Sequence, residues 1–306
     1  QPAVNGVELC DEEMAALFEI AAAQELPGGP AYLNISVGNP STGTVAATVP
    51  CTILKAIGQV ESTWTQFCGT CGSSGPTIIS FDCGYGVTQV TSGMSTGSMG
   101  AFSFSPAQVA SDTGYNIATG AGILAAKWLV VPSIGDNQPD VVEHWYYAVW
   151  AYNGFAYVNN PNNPNNPAGR APYNSPGGLS RGSYPYQELV WGATAYPPEG
   201  RWDPLDVSYP ALSGIGNPPG SIPSPSPTHG DPCSGGIIVD DADPEFTVLA
   251  GSEAMLRMEG GWEDGFAAAP PYDGVVPYVE AEWVPDLPNT GLWAIDVFNP
   301  DVPEAL

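Results

Sequence analysis

The segment CTILKAIGQVESTWTQFC, residues 51–68, predicts a helix that ends at a glutamate, Glu61, and is followed by a bend. Glu61 lies four residues after Ile57 and seven after Leu54, so a helix carries it on or beside the apolar stripe. A carboxyl group among apolar side chains is desolvated, which raises its pKa and keeps it protonated nearer neutral pH. This environment suits a general acid, with Ser62 as a positioning hydroxyl, but by itself it does not favour that role. The alternative is a glutamate that only caps or pairs within the structure.

Three later segments carry polar residues suited to the same site. These residues are Asp82 and Gln89 in DCGYGVTQVT, Asn116 in YNIATG, and Tyr152 and Asn153 in WAYNGF. Tyr152 lies seven residues after Trp145 and eleven after Val141, so a helix there turns it inward. The alternative for Tyr152 is an ordinary core tyrosine. For Gln89 and Asn116, contact with sugar or backbone and a role in holding loops together remain equally open.

Taken in this order, the segments resemble the lytic transglycosylases and goose-type lysozymes of the lysozyme-like superfamily. In that group a Glu-Ser pair ends a helix, and Gly-x-x-Gln, Asn-Ile-x-x-Gly and Ala-Tyr-Asn-x-Gly follow. The matching residues here are Glu61-Ser62, Gly86 to Gln89, Asn116 to Gly120 and Ala151 to Gly154. The family usually has Met before the glutamine, where this chain has Thr88, and a small residue between the Asn and the Gly, which is missing between Asn153 and Gly154. The resemblance spans roughly residues 45–160.

The resemblance implies an enzyme that cleaves the β-1,4 bond between N-acetylmuramic acid and N-acetylglucosamine in peptidoglycan glycan strands. It implies Glu61 as the catalytic acid. The residues implied to bind or position the glycan are Ser62, Gln89, Asn116, Tyr152 and Asn153. A lytic transglycosylase uses one glutamate as acid and then base, and the 6-hydroxyl of the muramic acid is the nucleophile.

An inverting hydrolase needs a second carboxylate that activates water. Asp82 is the candidate for that role, because it lies seven residues before Gln89, where goose-type lysozymes carry acidic residues. The alternative is an aspartate that serves its own turn beside Cys83 and Gly84, and this context favours it.

The charge of the chain limits its partners. Its 306 residues contain 6 basic and 32 acidic side chains, a formal net charge of −26. Such a chain repels nucleic acid and anionic membranes, and no run of 18 apolar residues predicts a membrane span. A solvated acidic surface explains the charge most simply. The same charge gives weight to another class of protein, a wall-binding or structural surface protein that no longer cuts, because anionic wall polymers would repel it.

Six cysteines, five of them in the first 83 residues, predict disulfides formed in an oxidising compartment. The alternative is a zinc site built from Cys68, Cys71 and Cys83, although no histidine lies near them. Six cysteines allow 15 pairings, and the sequence does not choose among them. Because the chain starts at Gln1 without Met, we expect a mature, extracellular or cell-surface form whose leader has been removed.

The fold class that the sequence predicts is α+β, with a mainly helical lysozyme-like domain followed by a small β-sandwich. The expected helices cover residues 9–25, 51–61, 116–131 and 140–155. Asp140 opens the last helix with Glu143 three residues later, which is a capping-box pattern. The expected regions are a lysozyme-like domain at 1–158, a Pro/Asn-rich wrap packing on it at 159–215, a linker at 216–234 and a β module at 235–306.

The C-terminal segment resembles the golvesin-like domain of secreted bacterial enzymes. The residues that carry this resemblance are Val239 to Phe246 and Trp283 to Gly291. The resemblance implies a jelly-roll β-sandwich that adheres to carbohydrate or cell wall. Because the chain stops at Leu306, soon after the late motif, we expect the domain to be truncated or completed by another segment. We expect no cofactor, with calcium at Asp240, Asp241 and Asp243 as an alternative to a solvated acidic turn.

Overall fold

The computed structural model describes residues 2–166 and 184–233, and four strands beyond them at 246–250, 256–258, 266–268 and 280–283. The chain divides into two compact units. Residues 1–235 form the first unit and residues 236–306 form the second. The candidate site lies in the first unit.

Six α-helices form within the described part of the first unit. They are α1 (Asp11–Ala23), α2 (Cys51–Ser62), α3 (Pro106–Ser111), α4 (Thr113–Trp128), α5 (Tyr146–Tyr152) and α6 (Tyr186–Ala195). Helix α2 contacts α1 and α6, whereas α4 contacts α1 and α5. The described part of the chain contains no helix long and apolar enough to cross a membrane.

Helix α2, which carries Glu61, is largely buried. Its apolar side chains Ile53, Leu54 and Ile57 are fully buried, as their helical spacing predicts. Burial of each contributes roughly 1.5–3 kcal/mol to the free energy of unfolding. The one cation on this helix, Lys55, is also buried, and its Nζ lies 2.6 Å from Oε1 of Glu19. The helix therefore gives Glu61 a rigid base.

The described strands form short antiparallel pairs. In the first unit they are β1 (Asn5–Val7) with β4 (Ser74–Pro76), β2 (Asn34–Val37) with β3 (Gly43–Ala46), and β5 (Ser98–Met99) with β6 (Phe102–Ser103). In the second unit they are β7 (Phe246–Ala250) with β10 (Glu280–Trp283), and β8 (Leu256–Met258) with β9 (Phe266–Ala268). Helices with small sheets confirm the α+β class. The jelly-roll remains a prediction, and Asp240, Asp241 and Asp243 lie outside the described residues.

The capping box predicted at Asp140 and Glu143 is wrong. A 3₁₀ turn at Val142–Trp145 precedes α5, and Glu143 is fully buried within it. Its carboxylate accepts hydrogen bonds from the backbone N–H groups of Ser208 (3.1 Å) and His229 (2.8 Å), and lies 2.6 Å from Nδ1 of His229. Partners 65 and 86 residues away occupy the side chain that the local pattern assigns to its own helix end.

The predicted linker at 216–234 is part of the first unit as far as residue 233. His144 holds it through Nε2, which lies 2.6 Å from Oγ of Ser224. Asp231 caps α2, because its carboxylate accepts from the backbone N–H of Cys51 (2.5 Å) and the hydroxyl of Thr52 (2.6 Å). Proline-rich composition predicts an extended chain, but it does not predict whether that chain lies against a domain.

The wrap predicted at 159–215 contains helix α6, where the sequence indicates only an ordered segment. Leu189, Val190 and Trp191 of this helix are buried in the core of the first unit. Residues 167–183 of the wrap lie outside the described part of the chain.

The predicted disulfides are confirmed, and the structure selects their pairing. Cys10 is bonded to Cys71, and Cys51 is bonded to Cys233. Cys68 and Cys83 are free and exposed. Because Cys71 is engaged with Cys10, the three-thiol zinc set does not form.

Candidate active site

Glu61 lies in the last turn of α2, one residue before the helix ends at Ser62. The next two residues, Thr63 and Trp64, both have φ of 59°, a left-handed conformation that costs energy in residues other than glycine. The Ser62 hydroxyl stabilises this bend, because its Oγ donates to the carbonyl of Val87 (2.7 Å) and accepts from the N–H of Thr65 (3.0 Å). Ser62 therefore positions the helix end, and its contact with a glycan stays a prediction.

Trp64 fixes the same bend from the other side. Its indole N–H donates to the carbonyl of Lys55 (2.9 Å), and its ring packs against Phe18 with centroids 4.8 Å apart. The Arg201 guanidinium lies 4.7 Å from the ring centroid, a cation–π contact. These three contacts of the buried Trp64 side chain can hold the strained backbone of Thr63 and Trp64, next to Glu61.

A tight turn from Tyr85 to Val90 faces the end of α2. Its two end residues exchange backbone hydrogen bonds of 3.0 and 3.1 Å. Gly86 inside the turn has φ of 66°, and a Cβ there would lie 1.9 Å from Oε1 of Gln66. That same oxygen accepts the N–H of Val87 (3.0 Å). Only glycine fits at residue 86, which gives the Gly-x-x-Gln pattern a physical cause.

Asn116 on α4 holds this turn through side-chain hydrogen bonds. The side chain is fully buried, and its Oδ1 accepts from the N–H of Thr88 (2.9 Å). Its Nδ2 donates to the carbonyls of Tyr85 (2.8 Å) and Val109 (3.1 Å). One turn later on α4, a Cβ on Gly120 would lie 2.7 Å from the Thr88 side chain. The prediction that Asn116 binds substrate is corrected to a structural role, because the side chain is saturated and buried.

Tyr152 reaches the turn from the last residue of α5. Its hydroxyl donates to the carbonyl of Thr88 (2.8 Å), and the side chain is half-buried. Burial, and then the negative charge of Glu61, raise the pKa of Tyr152 above its usual range. The phenol therefore lies within the electrostatic reach of Glu61, and a catalytic role for it stays a prediction.

The bend and the turn border a cleft of about 550 Å³. Glu61 and Asp82 both line it, together with Gln89, Tyr152 and Asn153. Glu61 is half-buried there, so it is less enclosed than the apolar stripe predicts. The Gln89 side chain folds back on its own turn, where Nε2 donates to the carbonyl of Gly86 (2.8 Å). Asp82 is exposed and accepts a hydrogen bond from the Ser80 hydroxyl (2.5 Å).

The other described residues that line the cleft are apolar, apart from one lysine and several hydroxyl side chains. Phe81 is fully exposed and lines it, and Ile79, Met99 and Ile123 line it as well. Lys127, near the end of α4, is half-buried, and burial lowers the pKa of its amine. An exposed aromatic ring beside polar groups suits a ligand with both apolar faces and hydroxyls, as sugars have.

Five of the seven residues singled out in the sequence meet at the cleft, and Ser62 and Asn116 support it from behind. Sequence reasoning missed Gln66, Phe81 and Lys127, which carry no motif. It also missed Glu8, a buried carboxylate that accepts the N–H of Phe67 (2.6 Å). Burial raises the pKa of Glu8, although that hydrogen bond opposes the shift. The sequence around Glu8 contains no pattern that predicts a contact with Phe67, 59 residues away.

Comparisons with protein-family models, with curated proteins and with solved structures find no match to this chain. The chemistry of the cleft therefore rests on its own residues and on the resemblance of its four segments.

Proposed function

We propose that this chain is a peptidoglycan-cleaving glycosidase in which Glu61 is the general acid. The observation that carries the proposal is the convergence of Glu61 and Tyr152, from the ends of α2 and α5, on one cleft. Gly86, Asn116 and Gly120 hold the intervening turn. The residues behind the resemblance thus have a common physical purpose, which supports a shared chemistry.

In the proposed reaction, Glu61 gives a proton to the leaving glycosidic oxygen. Tyr152, whose hydroxyl donates to the carbonyl of Thr88 (2.8 Å), holds the turn beside Glu61 while this transfer takes place. In a lytic transglycosylase the same carboxylate then takes the proton of the muramic acid 6-hydroxyl, which attacks C1 and closes a 1,6-anhydro ring. No second carboxylate is needed for that sequence. The proposal includes an extracellular setting, which the two disulfides support.

The test is digestion of purified peptidoglycan, with the released muropeptides analysed by mass. We expect 1,6-anhydro products from the native chain. Glu61→Gln keeps the shape of the side chain but removes the transferable proton, so cleavage should fall by a factor of about 10² to 10⁴ or more. An unchanged melting curve shows that the variant is folded. Activity of the variant within a few-fold of native would remove Glu61 from the mechanism.

Asp82 in the same cleft favours one second candidate, an inverting hydrolase. Its products would carry reducing ends, and the same mass measurement separates the two reactions. The formal charge of −26 favours another candidate, a wall-binding protein that does not cut. Co-sedimentation with insoluble peptidoglycan and no released product would support that candidate against both enzymes.

A further inference from the structure

Cations are rare in this chain, and those described in the first unit have different surroundings. The chain has six lysines and arginines in total. In the described part of the first unit, Lys55 pairs with Glu19 at 2.6 Å, and Arg201 binds Asp11 through two hydrogen bonds of 3.0 Å. Lys127 has no ion pair or side-chain hydrogen bond with any described residue.

Lys127 is also the cation that lines the candidate cleft. It stands one helical turn after Ile123 on α4, and both residues line the cleft that contains Glu61. A half-buried ammonium without an anion is unfavourable, because it loses hydration and gains no partner. The depressed pKa of Lys127 has burial as its cause, in agreement with that geometry. Acidic side chains outnumber basic ones 32 to 6 in the chain, so a lysine that pairs with no acidic side chain of the described part is conspicuous at this place.

We propose that Lys127 binds a carboxylate of the glycan and so selects muramic-acid strands over neutral N-acetylglucosamine polymers. The inference rests on the proposed function and deepens it. Two sources supply this chemistry: the free lactyl carboxylate of an unsubstituted muramic acid, and the carboxylates of an attached peptide stem. An ammonium is compact and donates up to three hydrogen bonds, so it can bind a carboxylate from either source. It also lowers the repulsion that an acidic protein exerts on an acidic strand.

The experiment measures binding by calorimetry in a Glu61→Gln background, so that ligands are not consumed. Three ligands of equal length are compared: a neutral N-acetylglucosamine oligomer, an alternating oligomer with free lactyl carboxylates, and the same oligomer with peptide stems. Lys127→Met removes the charge and keeps much of the length of the side chain, whereas Lys127→Arg keeps the charge. Melting curves of both variants report their folding.

We expect Lys127→Met to weaken binding of a carboxylate ligand by about tenfold or more, the loss of one charge-assisted hydrogen bond. Binding of the neutral oligomer should not change, and Lys127→Arg should recover most of the loss. Whichever carboxylate ligand responds identifies the source. An equal effect on all three ligands, or none, overturns the inference.

Different results would contradict the role of Lys127 and the proposed function. If native protein releases muropeptides but binds neutral and carboxylate oligomers equally, Lys127 has no selective role while the proposed function stands. If native protein neither binds nor cleaves any glycan, the proposed function fails and the inference fails with it. Should Lys127→Met melt early, Lys127→Gln provides a second neutral side chain for the same comparison.

Discussion

Glu61 and Asp82 line one cleft, but their surroundings differ. Glu61 is half-buried at the end of a rigid helix, near the neutral hydroxyl of Tyr152. Asp82 is exposed in a turn and is hydrogen-bonded by Ser80 two residues before it. A solvated aspartate that serves its own turn is a weak candidate for a catalytic base. The environments of the two carboxylates therefore favour a mechanism with one catalytic group.

We expect Asp82→Asn to retain cleavage within a few-fold of native, with the same products. The asparagine can still accept the Ser80 hydrogen bond, so the turn should persist. Glu61→Gln is the matched control, because it replaces a carboxylate by an amide in the same cleft. A loss of about a hundredfold in Asp82→Asn with an unchanged melting temperature, together with reducing-end products from the native chain, would make Asp82 the base of a hydrolase.

At the scale of elements, the turn at 85–90 is where α4 and α5 meet the end of α2. Asn116 from α4 and Tyr152 from α5 bind backbone groups of this turn, and Ser62 from α2 binds the carbonyl of Val87. Three helices thus fix one short segment through side chains. Buried backbone groups need such partners, since leaving each unsatisfied costs about 1–3 kcal/mol.

Asn116→Ala should lower the free energy of unfolding by about 3 kcal/mol or more, because it leaves several buried groups of the turn without partners. Asn153→Ala is the matched control on an exposed asparagine of the cleft, and it should change stability by less than about 0.5 kcal/mol. Urea unfolding of both variants measures the difference. Similar small effects in the two variants would show that Asn116 does not hold the turn.

At the scale of the whole first unit, a proline-rich segment returns to the start of α2. Asp231 caps that helix, and Cys233 is bonded to its first residue, Cys51. Pro50 at the N-cap has no side-chain acceptor for the N–H groups of the first turn, which have no partner within the helix. A residue about 180 positions away therefore completes the helix that carries Glu61.

Removing this cross-link with Cys51→Ala and Cys233→Ala should lower the free energy of unfolding by ~2–4 kcal/mol, because the unfolded chain gains entropy. The matched control, Cys68→Ser with Cys83→Ser, changes two exposed free thiols and should have little effect. Chemical denaturation without reductant measures both. Equal stability of the two double variants would indicate that the other contacts of the segment suffice.

We expect His144 to make the docking of this segment sensitive to pH. Burial lowers the pKa of His144, although a hydrogen bond to the Gln138 carbonyl and the carboxylates of Asp136, Glu143 and Asp140 oppose the shift. As pH falls below about 6.5, the unfolded chain takes up a proton on this residue before the folded chain does. The folded state is then destabilised, by at most about 1.4 kcal/mol per pH unit for one group.

We expect the free energy of unfolding to fall between pH 7 and pH 5, and to fall less steeply in His144→Gln. The glutamine amide can still form a hydrogen bond with the Ser224 hydroxyl, so the segment should remain docked. The measurement is urea unfolding at half-unit pH steps for both proteins. Parallel pH curves for the two would assign the dependence to other groups, and His144 would have no part in it.

The sequence by itself determined the helices α1, α2 and α4, the α+β class, the presence of disulfides and the position of Glu61 at a helix end. Each of these depends on periodicity, caps or composition, which act over a few residues. Gly86 and Asn116 were also visible as a pattern, although the pattern did not distinguish a substrate contact from a structural one.

Only the tertiary structure decided which cysteines pair and that Glu143 binds His229 instead of capping its helix. It also decided that Lys127 lines the cleft without a partner among the described residues. These outcomes join residues far apart in sequence, where local propensity carries no information. A buried carboxylate or amide forms a hydrogen bond with whichever partner the packed core brings within about 3 Å. The reason is that a buried polar group without a hydrogen bond loses more free energy than a local contact such as a helix cap contributes. Contacts between residues far apart in sequence therefore determine the geometry of the site, whereas local patterns predict only some of its residues.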